Sequence, residues 1–189
     1  MNVIETYPEI RSAIRLLTDC FAAGGKLLVC GNGGSAADSA HIVGELVKGF
    51  LKKRPVPDRE REAVCGKPLQ AGLPAIDLTA QGAVISAVCN DLGGELMYAQ
   101  QVSAYGRPGD VLIGISTSGN AENVLLAMQL AREKGMTTVA LTGRGGGKMA
   151  EAADLLLAAD ATETYLVQEQ HIMMYHAICA GVEAALFAE

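Results

Sequence analysis

Apolar positions in this chain alternate between two rhythms: short β-branched runs, and longer stretches where they return every third or fourth residue. Ile10, Ala13, Ile14, Leu17 and Phe21 keep the second rhythm and predict a helix over 4–23, stopped by Gly24-Gly25. A buried strand is predicted over 26–30, then a helix over 35–50 with Ser35 as its N-cap. A strand over 74–78 and helices over 80–89 and 93–104 follow. Strands at 111–115, 137–141 and 155–158 then alternate with helices at 121–134, 148–153 and 164–187. The stretch 51–72, charged and Pro-containing, interrupts the alternation and reads as an exposed excursion, its charge run from Lys52 to Arg61 a solvated face. Strands alternating with helices predict an α/β fold. The expectation is a three-layer αβα sandwich around a doubly wound, flavodoxin-like, five-stranded parallel sheet, with residues 1–189 forming one domain.

Two of the predicted strands end in small polar turns that lead into helices: Gly31-Asn32-Gly33-Gly34-Ser35 and Ser116-Thr117-Ser118-Gly119-Asn120. Such turns present backbone N–H groups and hydroxyls to an anion at a helix N-terminus. In an open parallel sheet both lie at the carboxyl ends of the strands, where ligands bind. Neither has the spacing of a dinucleotide fingerprint or the Lys of a P-loop, so a phosphorylated small molecule fits better than a nucleotide. Thr142-Gly143-Arg144-Gly145-Gly146-Gly147 is a third glycine-rich turn, read as backbone geometry.

Composition narrows the class. Half the residues are hydrophobic and Trp is absent, which makes a core of Ala, Val, Leu and Ile. A net charge of −6 argues against a nucleic-acid partner. The five cysteines (Cys20, Cys30, Cys65, Cys89, Cys179) show no C-x-x-C and read as free, mostly buried thiols of a reducing cytoplasm. The first residues lack the basic-then-apolar pattern of a signal peptide, and no apolar run reaches membrane-spanning length, so no membrane association is expected.

His41 and Glu45 are four residues apart and share a helix face. They can share a divalent metal, act as an acid–base pair, or make a simple surface hydrogen bond. The final helix carries Gln168, His171 and His176 in an otherwise apolar setting where Met173 and Met174 read as core. His171 and His176 point to different faces, and Gln168 and His176 stand roughly 12 Å apart along the axis. Either these long side chains converge on one ion through a distortion, or the two serve different sites, in different subunits. Asn90-Asp91 closes a predicted helix, where Asp91 caps the next one or orients a sugar hydroxyl.

Taken in order, G-N-G-G-S-A-A-D-S-A-H-x-x-x-E-L, N-D, G-R-P-G-D-V-L-I-G-I-S-T-S-G-N, A-R-E-K-G-M-T-T-V-A-L-T-G-R and Q-E-x-H-I-x-x-x-H resemble the SIS (sugar isomerase) domain family over nearly the whole chain, and within it the phosphoheptose isomerases. The resemblance implies aldose–ketose isomerisation of sedoheptulose 7-phosphate to D-glycero-D-manno-heptose 7-phosphate. It implies a catalytic carboxylate at Glu45 and a catalytic imidazole at His176. It further implies substrate contacts at Asn32, Gly33, Gly34, Ser35, Glu45, Asn90, Asp91, Ser116, Thr117, Ser118, Asn120 and Gln168. Some members bind zinc, one ion per subunit, through residues matching His41, Glu45, Gln168 and His176. The family is a cytoplasmic homotetramer with active sites between subunits, and the terminal helices 4–23 and 164–187 would lie in those contacts.

The chain departs from the family pattern at Ala121, where a phosphate-contacting Ser is usual, at Gln81 and Ala83, at Tyr165, where an Asp is common, and in the long 51–72 excursion. These departures favour, as second reading, an isomerase of another phosphosugar. A third reading is a non-catalytic relative that binds a partner such as the replication initiator. Retention of both Glu45 and His176 argues against that role, which has no chemical need for the pair.

Overall fold

The computed structural model describes residues 3–187. Five strands, β1 (Leu27–Gly31), β2 (Ala75–Asp77), β3 (Val111–Ser116), β4 (Thr137–Thr142) and β5 (Leu155–Ala158), form one sheet in the order β2-β1-β3-β4-β5. Every pairing is parallel. The predicted doubly wound α/β architecture is therefore present, with the strand order of the flavodoxin-like winding.

Side chains alternate across the sheet with period two, so each strand feeds two cores. Leu27 and Val29 of β1, with Val111, Ile113 and Ile115 of β3, pack under α2 (Glu9–Ala22), α3 (Gly34–Val47) and α9 (Thr164–Leu186) through Ile10, Leu17, Ile42, Leu46, Met174 and Ile178. Leu28, Cys30 and Leu112 face the other way, against α6 (Met97–Tyr105), α7 (Glu122–Glu133) and α8 (Met149–Ala152) through Tyr98, Val102, Val124, Met128 and Met149. Burial on both faces explains why the strands read as continuous apolar runs.

Several predicted boundaries shift for local reasons. The helix expected over 4–23 is broken into α1 (Val3–Thr6) and α2, with Pro8 between them as N-cap at φ −63°. Proline lacks an N–H and disfavours helix at the residue before it. The helix expected over 35–50 ends at Val47, and Gly33 at φ 58° takes the N-cap position given to Ser35, which lies buried inside α3. Expected helix 93–104 begins as a 3₁₀ turn at Gly94–Leu96 before α6; expected helix 80–89 is α5 (Gly82–Asp91). Asp91 caps nothing, since its carboxylate accepts from the side-chain amide of Asn90 at 2.7 Å.

The excursion is more ordered than its composition suggests. It contains α4 (Asp58–Ala63) and an antiparallel bridge between Pro55 and Gln70. Its charge run is not wholly solvated, because Arg54 is 0% exposed. The Arg54 guanidinium donates to Glu183 Oε1 at 2.8 Å, to the Leu46 carbonyl at 2.7 Å and to the Glu45 carbonyl at 3.1 Å. Glu183 in turn accepts the backbone N–H groups of Phe50, Leu51 and Lys52 at 2.7–3.0 Å. One buried ion pair thus fastens the root of the excursion to α9 and to the end of α3. Met174 is buried as expected, whereas Met173 is 50% exposed. Cys20, Cys30 and Cys179 are buried free thiols, but Cys65 and Cys89 are exposed. No helix among the described residues is long and apolar enough to cross a membrane.

Candidate active site

β1 and β3 are neighbours from Leu27↔Val111 to Gly31↔Ile115, so the two small-residue turns emerge side by side at the carboxyl edge. From β1 the sheet continues to β2 on one side and from β3 to β4 on the other, which makes this the switch point where a crevice opens. A cleft of about 390 Å³ lies there, lined by Asn32, Glu95, Ala121, Glu122 and Asn123 among others.

In the second turn Ser116 and Ser118 bring their hydroxyls to 3.4 Å, with Ser118 exposed and Ser116 7% exposed. Asn120 braces the turn: its amide donates to the Ser118 carbonyl at 2.7 Å and its oxygen accepts from Lys148 N–H at 3.1 Å. Gly119 has φ +66°, and a Cβ there would stand 2.0 Å from the Gly146 carbonyl oxygen. The third glycine-rich turn therefore buttresses this one, a packing role. Gly119→Ala is expected to lower stability by about 1–3 kcal/mol through backbone strain. Thermal unfolding checks this; an unchanged Tm would show that the turn relaxes.

The first turn is built against α9. A Cβ on Gly34 would fall 2.2 Å from the Gln168 side-chain nitrogen, so the absent side chain lets the Gln168 amide rest on the start of α3. Asn32 and Asn123 exchange two amide hydrogen bonds at 2.8 and 3.0 Å, and the Tyr98 hydroxyl reaches both the Gly31 carbonyl and, at 3.2 Å, Asn32 Oδ1. Asn90 and Asp91 pair with each other at the end of α5 and do not line this cleft.

Two turns further along α3, His41, Glu45 and His176 meet. His41 Nε2 lies 3.2 Å from Glu45 Oε1 and 3.3 Å from His176 Nε2. Ligand atoms of all three lie within 4.8 Å of one another. Nitrogens bound at about 2.0–2.1 Å to a tetrahedral zinc stand about 3.3–3.4 Å apart, so this donor set fits such an ion. Gln168 is not part of the cluster's tip: its amide sits at Gly34, seven residues or about 10 Å back along α3. His171 is also elsewhere, 0% exposed with Nε2 3.0 Å from the Thr142 carbonyl oxygen, a core histidine.

Burial and the neighbouring His41 hold the His176 imidazole below its ordinary pKa, against the opposing pull of Glu45. A neutral imidazole can take a proton or hold a cation. The rings of His41, Tyr175, His176 and Phe50 pack with centroids 4.9–5.4 Å apart, which limits their rotation. Both His41 and Glu45 remain open to solvent, at 42% and 20% side-chain exposure. Sequence reading missed Tyr98, Asn123, Tyr175, Arg54 and Glu183. Only the last carried a visible signal, a carboxylate within the apolar second half of α9.

The sequence model of the SIS domain matches residues 3–64 and 67–143. The chain is similar to a phosphoheptose isomerase of Rhodospirillum rubrum, with 45% identity over 95% of this chain and 87% of that one. It is similar to a phosphoheptose isomerase of Roseiflexus at 44% identity, over 100% of this chain and 88% of the relative. Among solved structures, the phosphoheptose isomerase of Neisseria gonorrhoeae superposes with a TM-score of 0.80 at 37% identity, over 94% of this chain and 86% of that chain. That of Francisella tularensis gives 0.81 at 34%, over 93% and 85%.

Proposed function

We infer the reaction from the family: the chain belongs to the SIS domain family and, within it, to the phosphoheptose isomerases. It is a sugar-phosphate isomerase, converting sedoheptulose 7-phosphate to D-glycero-D-manno-heptose 7-phosphate. The observation that carries the reading from family to chemistry is the convergence of His41, Glu45 and His176 beside a hydroxyl-rich anion turn.

Isomerisation moves a proton from C1 of the ketose to C2 and another from O1 to O2 through an enediol. A carboxylate and a neutral imidazole divide such work. Glu45, whose Oε1 faces His41, offers its other oxygen as the base at carbon, while His176 carries the proton between the two substrate oxygens. Ser35, Ser116, Thr117 and Ser118 hold the phosphate with N–H groups of the Gly33-Gly34 turn, and Asn120 keeps that loop in shape. Asn32 and Gln168 address the hydroxyls between, and Asn90 and Asp91, which do not line this cleft in the single chain, would join them from a neighbouring subunit. Remote phosphate binding orients the reacting carbons. Ala121 leaves that cradle one hydroxyl short of the usual family pattern.

His41, Glu45 and His176 would hold one zinc ion per subunit; Gln168, at the position of a fourth ligand in zinc-binding members, would reach it only by leaving its place at Gly34. Bound there, zinc would occupy the His176 lone pair and polarise the sugar carbonyl in place of a proton shuttle at that residue. The 189 residues act as one SIS domain in a cytoplasmic homotetramer. Support comes from large apolar side chains left exposed on the surface, among them Leu51 at 71%, Leu92 at 52%, Tyr165 at 63% and Met173 at 50%. Contacts from a second subunit would cover these and enclose the exposed His41 and half-buried Glu45.

Running the reaction in D₂O tests the enediol: deuterium is expected at C2 of the aldose, and its absence there would point to a direct hydride shift. Ser118→Ala is expected to raise KM with kcat little changed, as for a contact made equally in ground and transition states. An unaltered KM would remove Ser118 from the phosphate cradle.

A further inference from the structure

Tyr175 and Asp38 lie at the Nδ1 side of the His41 ring, opposite the nitrogen that faces Glu45 and His176, and no step of the reaction above uses them. Tyr175 is 2% exposed and Asp38 6% exposed. The Tyr175 hydroxyl lies 2.9 Å from His41 Nδ1 and 3.3 Å from Asp38 Oδ1, so it bridges the two. Asp38 Oδ2 is buried with no hydrogen-bond partner among the described residues.

The hydroxyl has one proton to give. Directed to His41 Nδ1, that proton would leave the buried Asp38 carboxylate without a donor on either oxygen, a costly arrangement. Directed to Asp38, it lets the Tyr175 oxygen accept from His41 Nδ1–H; the Nε2 lone pair then accepts from His176 Nε2–H and forgoes a hydrogen bond to Glu45. A histidine protonated at Nδ1 presents a lone pair at Nε2. That is the atom 3.2 Å from Glu45 Oε1 and 3.3 Å from His176 Nε2.

We propose that Tyr175, anchored by Asp38, is a positioning residue that holds His41 in the Nδ1–H tautomer with its Nε2 lone pair turned into the His41–Glu45–His176 cluster. The consequence for metal binding rests on the zinc reading given above; the tautomer itself does not. A hydrogen bond on the remote ring nitrogen fixes ring orientation and raises ligand basicity, and losing such a partner typically weakens metal binding about 10–100-fold.

The chain has three histidines, which makes ¹⁵N NMR of the imidazoles tractable, with His171→Asn and His176→Asn assigning the signals. In metal-free protein, His41 is expected to show a protonated Nδ1 and an unprotonated Nε2. In Tyr175→Phe and Asp38→Asn this preference is expected to be lost or reversed. The same three proteins, titrated with Zn²⁺ against a chelating indicator, are expected to differ about 10–100-fold in affinity, with folding checked by circular dichroism. Nε2–H as the wild-type tautomer, or the same tautomer in Tyr175→Phe, overturns the proposal whatever the zinc result. The expected tautomer with no zinc binding by the wild type would overturn the metal reading and leave the positioning role standing. Misfolding of Tyr175→Phe leaves the wild-type spectrum and Asp38→Asn to decide.

Discussion

Glu45→Gln is expected to lower kcat for sedoheptulose 7-phosphate about 10²–10⁴-fold, the range of a lost general base. The substitution keeps the shape of the side chain and its place one turn beyond His41 on α3, but removes the basic oxygen. Binding should survive within a few-fold, because the phosphate is held at the Ser116–Asn120 turn, a separate stretch of chain. Calorimetric titration of the variant with substrate, beside steady-state turnover, separates the two effects. Turnover close to wild type would take the base role from Glu45. Loss of binding with intact folding would instead give it a substrate-holding role.

The second large effect concerns Arg54 and Glu183, both essentially without solvent exposure. Arg54→Met strands the Glu183 carboxylate in the interior and is expected to cost about 3–5 kcal/mol, measured by denaturant unfolding. It should also slow turnover, because the guanidinium holds the carbonyls of Glu45 and Leu46 and so fixes the stretch of α3 that carries the base. A loss below about 1 kcal/mol would show the pair to be solvated in practice. Acid adds a second readout. Burial raises the Glu183 pKa, but the N–H groups of Leu51 and Phe50 and the Arg54 guanidinium outweigh it and hold the carboxyl below its ordinary value. A carboxylate with a depressed native pKa stabilises fully above its unfolded value near about 4.3, and that contribution fades as pH falls through the native value. Glu183→Gln should therefore be less stable at neutral pH and flatter in its stability profile below about pH 4.

The fold could be read from the chain because its signals are local. Runs such as Val111–Ile115 and the periodic apolar positions of α2, α3 and α7 each declare an element, and alternation then dictates a parallel sheet. What stayed hidden depends on neighbours distant in sequence. Arg54 looked like one charge in a solvated run; its burial follows from Glu183, which lies 129 positions later. Gly33 took the cap position from Ser35 because the turn needs a positive φ that a side chain resists. His41 and Glu45 were recognisable as a pair by spacing, and the family resemblance pointed to His176 as the third member; spacing alone could not choose between His171 and His176, because that depends on how α9 packs against α3. Tyr175 carried no signal at all, since an aromatic between methionine and histidine reads as core until its hydroxyl is seen to reach His41.

The decisive measurement is turnover of sedoheptulose 7-phosphate by the purified protein, with and without added zinc. The seven-carbon aldose phosphate is expected to form, in a reaction suppressed by a chelator and restored by zinc. Measurable binding of the ketose without any product would contradict the substrate assignment and move the chain to another phosphosugar.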